Sequence, residues 1–469
     1  MEVTAKLSLS GLMGSNLYKK EKVAVVDGGG RGSVLVRAYA KSPHVGEVLA
    51  FPGNDMMGFG TGKPVRTFPG IKTTDVEKIV RICMDENVAL VDVAQDNAIE
   101  VGLVNSLRHA GIKALGPTKG AGQIEWDKEF AREFGTVHGS PQPWYRVFKS
   151  EQEGIDFVKR HFAKDGAPVF VKAAGLAEGK GAIPAKNVED AINAIKEMRE
   201  FGNAGDTFLV EDWLRNEDGS NAEEFSAFAI SDGIGVKILG YAQDHKRLYN
   251  FDEGPNTGGM GCSSPPLVLD AVLQGRIVNI ISSAVDGLAS KNRPYTGIIY
   301  LGGILQYKNN ELNPSIIEWN ARWGDPEAQV IVPGFKTDML EVGMSAINNR
   351  GVLPVRTDGL SRIVVAGVSR GYPDKEKYKA VKGKQIFGLD EAMRTDGVEV
   401  YGAGVSVQDG RYYANGGRLF YIVGSGNDAV QARARAYEAI ARVSIEGNNL
   451  HFRNDIGWRD VARLRREEL

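Results

Sequence analysis

The sequence contains few cysteines, little net charge and no long apolar run. Its two cysteines, Cys83 and Cys262, form no CxxC pair, which excludes a disulfide framework or thiolate zinc site and favours a reducing compartment. Lys and Arg total 57 against 59 for Asp and Glu, so no basic field favours nucleic acid. Apolar runs such as 297–305 are too short to cross a bilayer. These absences predict a cytoplasmic protein without nucleic-acid or membrane partners.

Several common catalytic motifs are also missing, whereas glycine is abundant. The sequence has neither a GxSxG nucleophile elbow nor an HExxH zinc pair, which argues against those hydrolase classes. Glycine accounts for 58 of the 469 residues, about 12% where ~7% is usual. The glycines cluster near strand ends, a distribution that indicates ligand-binding loops.

The first hundred residues alternate between strand and helix patterns. Segments 22–27, 45–51 and 88–93 predict strands, and 34–41, 76–86 and 98–110 predict helices. This alternation is typical of a parallel sheet covered by helices on both faces, with ligand loops at the carboxyl ends of the strands. Beyond Gly116-Pro117 the pattern changes to one that predicts antiparallel pairing.

The loop Gly28–Ser33 follows the first strand but departs from a dinucleotide fingerprint. Its sixth position is serine, and no acidic residue clearly closes the second strand, which disfavours a nicotinamide site. Backbone N–H groups at a helix start still favour an anion. The loop therefore binds a phosphate on a sugar substrate or is an ordinary strand-to-helix turn.

A second glycine loop, 172–181, follows the strand that ends at Lys172. It is not a P-loop, because GxxxxGK[ST] is absent. A lysine in this position is costly to bury unpaired, so a phosphate or carboxylate partner is expected. Gly175, Gly179 and Gly181 would let the loop close over that anion as a lid, the alternative being a simple surface hairpin.

The segment 314–323 predicts a strand whose two faces differ in chemistry. Glu318, Asn320 and Arg322 share one face, because side chains alternate along a strand. The opposite face carries Ile317, Trp319 and Ala321. A carboxylate and an amide oxygen beside a guanidinium predict a magnesium site next to an anion clamp. The alternative is a solvated polar face with a Glu–Arg ion pair.

Together these motifs resemble the ATP-grasp ligases, and among them the glycinamide ribonucleotide synthetase family. The resemblance covers nearly the whole chain from Lys22, through the stretches 116–119, 128–130, 171–181, 243–247, 254–261, 317–327, 415–418 and 453–459. It implies a leader at 1–20, an N-terminal parallel α/β substrate domain at 21–121, a two-lobed ATP-grasp core at 122–345 with a lid lobe at about 143–215, and a small C-terminal α+β domain at 355–469.

The family's reaction joins glycine to 5-phosphoribosylamine in purine biosynthesis, with ATP cleaved to ADP and phosphate through a glycyl phosphate. The resemblance implies that ATP contacts come from Lys128, Lys172, Gly179, Lys180, Gly181, Glu211, Leu214 and Glu224. In particular, Lys128 and Lys172 would bind the phosphates of ATP. The backbone of 210–214 would contact adenine, and Glu224, or its neighbour Glu223, would bind the ribose hydroxyls.

The resemblance assigns the remaining site residues as follows. Glu318 and Asn320 would bind Mg²⁺ or Mn²⁺, and Asp244 and Arg322 would be the catalytic residues beside glycine and the acyl phosphate. Substrate contacts would come from Gly29, Gly30, Asn54, Lys246, Arg247, Asn256, Thr257, Gly258 and Gly259. The bare loop at 256–261 would offer backbone N–H donors to the acyl phosphate. We expect a monomer that acts on small molecules.

Four features differ from the family pattern. Gly32-Ser33 replaces Glu-His, Ala94-Gln95-Asp96 replaces Gly-Pro-Glu, Ala174 replaces a lid aspartate, and 216–222 is an insertion. The first two are expected to line the amine pocket. A ligase for another amine or amino acid, or a nucleotide-binding regulator without turnover, are therefore the alternatives. The charged residues that the family needs for ATP and metal are present, which argues against the regulator.

Overall fold

The structure is a computed structural model that describes residues 20–164, 166–177, 180–348 and 351–467. The leader expected at 1–20 lies outside this description except for Lys20, and Gly179 lies outside it as well. Among the described residues, no helix combines the length and apolar character needed to cross a membrane.

The N-terminal unit is a five-stranded parallel sheet with strand order β3-β2-β1-β4-β5. Its strands are β1 (Glu21–Val26), β2 (Val45–Ala50), β3 (Val65–Thr67), β4 (Leu90–Val93) and β5 (Ala114–Leu115). Its helices are α1 (Gly30–Lys41), α2 (Val76–Asp85), α3 (Asp96–Glu100), α4 (Leu103–His109) and α5 (Lys119–Trp126).

Helices cover both faces of this sheet, as the alternating pattern predicts. Val23 and Val25 of β1 pack in one core with α1, whereas Ala24 and Val26 pack in a second core with α2 and α4. The single helix expected at 98–110 is instead two helices, because Gly102 adopts φ +86° between them.

A four-stranded antiparallel sheet, here called the lid sheet, forms a separate layer with order β6-β9-β7-β8. Its strands are β6 (Tyr145–Phe148), β7 (Val169–Ala173), β8 (Ala182–Ala185) and β9 (Phe208–Asp212). The helix α6 (Lys128–Val137) precedes it, and α7 (Glu151–Lys164) and α8 (Val188–Glu197) pack on it around a core of its own.

The largest sheet, here called the central sheet, is antiparallel and runs through most of the remaining chain. Its order is β16-β15-β10-β11-β14-β17-β22-β19, with β24 beside β17. These strands are β10 (Glu223–Asp232), β11 (Val236–Asp244), β14 (Gly261–Ser264), β15 (Thr296–Lys308), β16 (Glu311–Asn320), β17 (Ser361–Ser369), β19 (Val398–Gly402), β22 (Arg418–Gly426) and β24 (Leu450–His451). Because β14 pairs with both β11 and β17, the core and the C-terminal region share one sheet.

Smaller elements complete the described chain. The short strands are β12 (Arg247–Tyr249), β13 (Glu253–Asn256), β18 (Gln385–Phe387), β20 (Val405–Gln408), β21 (Arg411–Ala414) and β23 (Ser444–Ile445). The later helices are α9 (Ala271–Ser290), α10 (Ala328–Ile331), α11 (Met339–Ile347), α12 (Lys375–Tyr378), α13 (Leu389–Met393), α14 (Ala429–Ile440) and α15 (Trp458–Glu467).

Candidate active site

The end of β16 carries the polar row that the sequence predicts. Trp319 and Ala321 are buried, at 4% and 1% exposure, and Arg322 donates through Nη2 to Asn320 Oδ1 at 3.0 Å. The register shifts opposite Gly302 and Gly303, so Ile316 rather than Ile317 joins the core. The expected alternation therefore holds only from Glu318 onward.

Cations surround Glu318. Its carboxylate lies 3.7 Å from Lys246 Nζ. Burial opposes its ionisation, but the attraction of Lys246, Lys172 and Lys128 outweighs this and lowers the pKa of Glu318 to about 2. The side chain is therefore a carboxylate at neutral pH, as a metal ligand must be.

Glu318 and Asn320 together fit a hard divalent cation. Both offer oxygen, the donor that Mg²⁺ and Mn²⁺ prefer. Asn320 is 6% exposed. Its Oδ1 accepts one hydrogen bond, from Arg322 Nη2, and an amide oxygen has a second lone pair that a cation can use. The described part of the chain contains no cluster of three or more His, Cys, Asp or Glu side chains that could hold a metal ion. The remaining ligands would have to be phosphate oxygens and water, as is usual for magnesium beside a nucleotide.

The buried Lys172 has a carboxylate partner within the protein, which is one of the two kinds of partner that the sequence predicts. Its Nζ lies 2.7 Å from Glu211 Oε2, and Arg132 donates to both oxygens of the same carboxylate at 2.7 and 3.0 Å. Arg132 also donates to the carbonyl of Ile317 at 2.6 Å. Burial of Lys172 alone therefore does not require a phosphate, and the Glu211 side chain is part of a bridge between the lid sheet and β16.

The other residues predicted for ATP have different surroundings. Lys128 begins α6 and donates to Gly175 O at 3.1 Å, and burial lowers its pKa. Glu224 is exposed and pairs with Lys246 Nζ at 3.3 Å, while Leu214 follows β9 and is partly buried. Lys180 Nζ lies 3.4 Å from the carbonyl of Pro373, on the side of the C-terminal region. Gly181 precedes β8, where a side chain would crowd Ala177.

Lys246 and Asp244 occupy the centre of the site. Lys246 bridges Glu224 and Glu318; burial opposes its charge, but these two acids hold its pKa well above the usual range. Burial and the nearby Glu327 raise the pKa of Asp244 well above the ordinary value. Its Oδ1 is buried without a hydrogen-bond partner among the described residues, so this oxygen can accept a hydrogen bond from a ligand.

The glycine-rich loop 256–261 was expected to offer free backbone N–H donors, but the N–H groups at 257–260 all have partners within the protein. The N–H of Thr257 donates to Lys246 O at 2.8 Å, that of Gly258 to Tyr372 Oη at 2.9 Å, and that of Gly259 to Thr257 Oγ1 at 3.0 Å. The N–H of Met260 donates to His245 O. Gly259 has φ +111°, and a Cβ there would lie 2.5 Å from Pro326, so the loop needs glycine for packing.

Two predicted substrate residues contact backbone carbonyls near this loop. Arg247 Nη1 donates to Gly254 O at 2.7 Å, and Asn256 Nδ2 lies 3.5 Å from Ala182 O at the start of β8.

A cavity of about 530 Å³ lies where the N-terminal unit, the core and the C-terminal region meet. It is lined by Gly28, Gly29, Gly53, Asn54, Lys180, Gly258, Asp325, Tyr372, Lys375, Tyr378, Asn415 and Arg418, among others. The sequence predictions include four of these, Gly29, Asn54, Lys180 and Gly258. The sequence predictions do not include any side chain of the C-terminal region, although the stretch Asn415–Arg418 was among those that carry the family resemblance.

The altered N-terminal loops are structural rather than part of the cavity wall. None of residues 30–33 or 94–96 lines the cavity, contrary to expectation. Gly30 begins α1, where a side chain would clash with Tyr421. Arg31 bonds Asp27, Gln95 and Trp323 O, and Ser33 Oγ donates to Gly402 O at 2.6 Å. Asn54 Nδ2 donates to Gly28 O and Ser33 Oγ, both at 3.1 Å, and so supports the same loop.

Glu125 is a site residue that sequence reasoning missed. It lies on α5, 5% exposed, with Oε1 3.0 Å from Arg322 Nη2, and its Oε2 accepts the N–H of Ala321 at 2.7 Å. Burial raises its pKa to about 7, although Arg322 pulls in the opposite direction. The pair joins residues 197 positions apart, so no local pattern could reveal it.

Comparison with known proteins accounts for this arrangement. Family models described as phosphoribosylglycinamide synthetase N domain, ATP-grasp (A) domain and C domain match residues 21–125, 126–328 and 362–459. The trifunctional purine biosynthetic protein adenosine-3 of Bos taurus is 37% identical over 94% of this chain. This chain spans only 42% of that protein's length.

Two further relatives match over their whole length. The phosphoribosylamine–glycine ligase of Streptococcus pneumoniae is 33% identical, covering 94% of this chain and 100% of that protein. The crystal structure of phosphoribosylamine–glycine ligase from Thermotoga maritima has a TM-score of 0.75 and 27% identity, covering 92% of this chain and 99% of that one. The resemblance and the fold expected from the sequence are thus confirmed, and the chain belongs to the phosphoribosylglycinamide synthetase family of ATP-grasp ligases.

Proposed function

We propose that this chain catalyses the ATP-dependent ligation of glycine to 5-phosphoribosylamine, which gives glycinamide ribonucleotide, ADP and phosphate. The observation that carries the proposal is the cavity of about 530 Å³, whose wall includes Gly258 of the loop beside Asp244 and the cations Lys180 and Arg418. A sugar phosphate bearing an amine fits such a polar space. The proposal covers this one reaction, not the further activities of the trifunctional relative.

The first step would be phosphoryl transfer from ATP to glycine. A glycine carboxylate oxygen attacks the γ-phosphorus, the bond to the β-bridging oxygen breaks, and ADP leaves. Lys128 and Lys172 would neutralise the phosphates, and Asp244 would hold the ammonium group of glycine. The backbone of 210–214 and Glu224 would hold adenine and ribose. A divalent cation on Glu318 and Asn320 would supply charge neutralisation at the transferred group.

The second step would form the amide. The amine nitrogen of phosphoribosylamine attacks the carbonyl carbon of glycyl phosphate, the bond from that carbon to the phosphate oxygen breaks, and the departing phosphate takes up the proton that the nitrogen loses. Arg322, held by Glu125, would stabilise the negative charge that develops on the acyl group. The residues needed are therefore those that position the substrates and neutralise charge, which agrees with the absence of a GxSxG nucleophile elbow from the sequence.

The decisive experiment measures ADP release with glycine, with and without phosphoribosylamine generated in situ. We expect ADP only when both are present, with Mg²⁺ and Mn²⁺ compared as the metal. ADP release with glycine and a different amine would indicate a ligase that uses that amine as its substrate. Nucleotide binding without turnover would indicate a regulator.

We further propose that the protein is a cytoplasmic monomer with domains at 21–121, 122–345 and 355–469. Analytical sedimentation tests whether it is a monomer.

The Glu125–Arg322 pair predicts a pH dependence. Below about pH 7 Glu125 is protonated, since burial raises its pKa to about 7. Arg322 then loses the nearer of its two charged partners and keeps only the more distant Asp96, at 3.8 Å. We expect kcat to rise through pH 7 in the wild type, and Glu125→Gln, which is neutral at every pH, to be slower and to lack this rise. Profiles recorded from pH 6 to 8.5 test this, and identical profiles would contradict it.

The raised pKa of Glu125 also affects the stability of the protein, and this effect has the opposite sign to the expected effect on kcat. The folded-state pKa of Glu125 lies above the unfolded value of about 4.3, so its contribution to stability is lost as pH rises between the two values. Glu125→Gln is therefore expected to be at least as stable as the wild type at pH 8, which separates the kinetic effect from unfolding.

A further inference from the structure

The peptide unit of Gly258 is held on both sides by the C-terminal region. Its N–H donates to Tyr372 Oη at 2.9 Å, and its carbonyl accepts a hydrogen bond from Arg418 Nη1. The fit is close, because a Cβ at Gly258 would lie 3.0 Å from Arg418 Cζ and 3.2 Å from Tyr372 Oη. Of the four consecutive N–H groups at 257–260, only that of Gly258 donates to the C-terminal region.

Arg418 connects this peptide to the chain that follows the predicted metal strand. Its Nη1 also donates to Asp325 O at 2.8 Å, and its Nη2 lies 3.4 Å from Asp325 Oδ2. Asp325 is three residues beyond Arg322. One guanidinium therefore fixes the glycine-rich loop relative to the segment that bears the catalytic arginine, through charge-assisted hydrogen bonds.

The pairing of β14, β17 and β22 forms a second connection between the loop and Arg418. The loop runs directly into β14, β14 pairs with β17, β17 pairs with β22, and β22 begins at Arg418. The carboxyl end of the loop is thus held by strand pairing, and Gly258 is held by Arg418 at the start of β22 and by Tyr372 in the segment that follows β17. A loop held at both points cannot shift without disturbing one of them.

We propose that Tyr372 and Arg418 are positioning residues that hold the Gly258 peptide as a fixed wall between the amine cavity and the glycyl phosphate. The inference deepens the proposed function and rests on it. Gly258 lines the cavity, and its loop folds back on Lys246 and lies beside Asp244. Its position would set how closely the amine approaches the acyl carbon, and misplacement by about 1 Å can reduce a rate a hundredfold.

Tyr372→Phe tests the proposal, because it removes the acceptor for the Gly258 N–H and keeps the ring. We expect faster hydrogen exchange in peptides covering 254–262, an unchanged melting temperature, and a kcat about tenfold lower with the KM for ATP unchanged. Tyr413→Phe removes a hydroxyl from β21 of the same region, outside the cavity lining, and is the matched control. Arg418→Lys should behave like Tyr372→Phe, since an ammonium cannot reproduce the planar guanidinium contacts.

The outcomes separate the alternatives. Unchanged exchange at 254–262 in both variants overturns the proposal. Faster exchange with wild-type kcat overturns the positioning role, and a raised KM for the amine alone assigns Tyr372 to substrate contact instead. If the wild type shows no ligase activity, the proposed function fails, and the exchange measurement still decides whether these side chains hold the loop.

Discussion

Glu318→Ala is expected to reduce ADP formation by roughly 10²- to 10³-fold at saturating Mg²⁺. Two losses combine in this variant. The site loses its only carboxylate ligand among the predicted metal residues, and Lys246, Lys172 and Lys128 lose the negative charge that lies among them. Both effects weaken charge neutralisation during phosphoryl transfer.

The measurement is the rate of ADP release as a function of Mg²⁺ concentration. Glu311→Ala is the matched control, since Glu311 lies on the same strand but is exposed and pairs only with Arg276 among the described residues, at 3.2 Å. Its rate should stay within twofold of the wild type. A wild-type rate and metal dependence in Glu318→Ala would refute the metal assignment.

Glu211→Gln is expected to destabilise the protein by about 3 to 5 kcal/mol, the range for removing one partner of a buried ion pair. Glu211 is 1% exposed and is the shared partner of Arg132 and Lys172. The amide would leave these two buried cations without the carboxylate that they share. Urea unfolding at pH 7 measures the loss, with Glu189→Gln on the exposed face of α8 as a control that should change stability by less than about 1 kcal/mol.

The pH dependence provides an independent check on the same carboxylate. Burial opposes its ionisation, but Arg132 and Lys172 lower the pKa of Glu211 to about 2. Because the folded-state pKa is depressed, this stabilisation is complete above about pH 4.3 and is lost as pH falls toward 2. The stability difference between wild type and Glu211→Gln should therefore shrink over this acidic range. A constant difference would contradict the ion-pair assignment.

Local patterns were sufficient for much of the fold. The parallel N-terminal sheet follows from alternating apolar runs, and the polar row on β16 follows from strand periodicity. Both signals lie within a few residues of one another, where side-chain direction is set by backbone geometry. The exceptions are also local: Gly102 divides a predicted helix, and a register shift on β16 moves Ile317 out of the core.

Long-range pairing was beyond sequence reasoning. Lys172 was expected to pair with a phosphate or a carboxylate, but the sequence did not show that the carboxylate is that of Glu211 on the neighbouring strand. Glu125 meets Arg322 from another unit of the chain. The cavity of about 530 Å³ likewise takes half of its wall from the C-terminal region. Charge and burial predict that a partner must exist, but only the tertiary fold determines which residue it is.

Strand β14 determines which parts of this protein can be separated from one another. It is hydrogen-bonded on one side to β11 and on the other to β17. A gene fragment that stopped before β17 would encode a polypeptide with an unprotected sheet edge, and we expect such a product to aggregate. The lid sheet, which has its own apolar core, is by contrast the portion that recombination or engineering could replace as a unit.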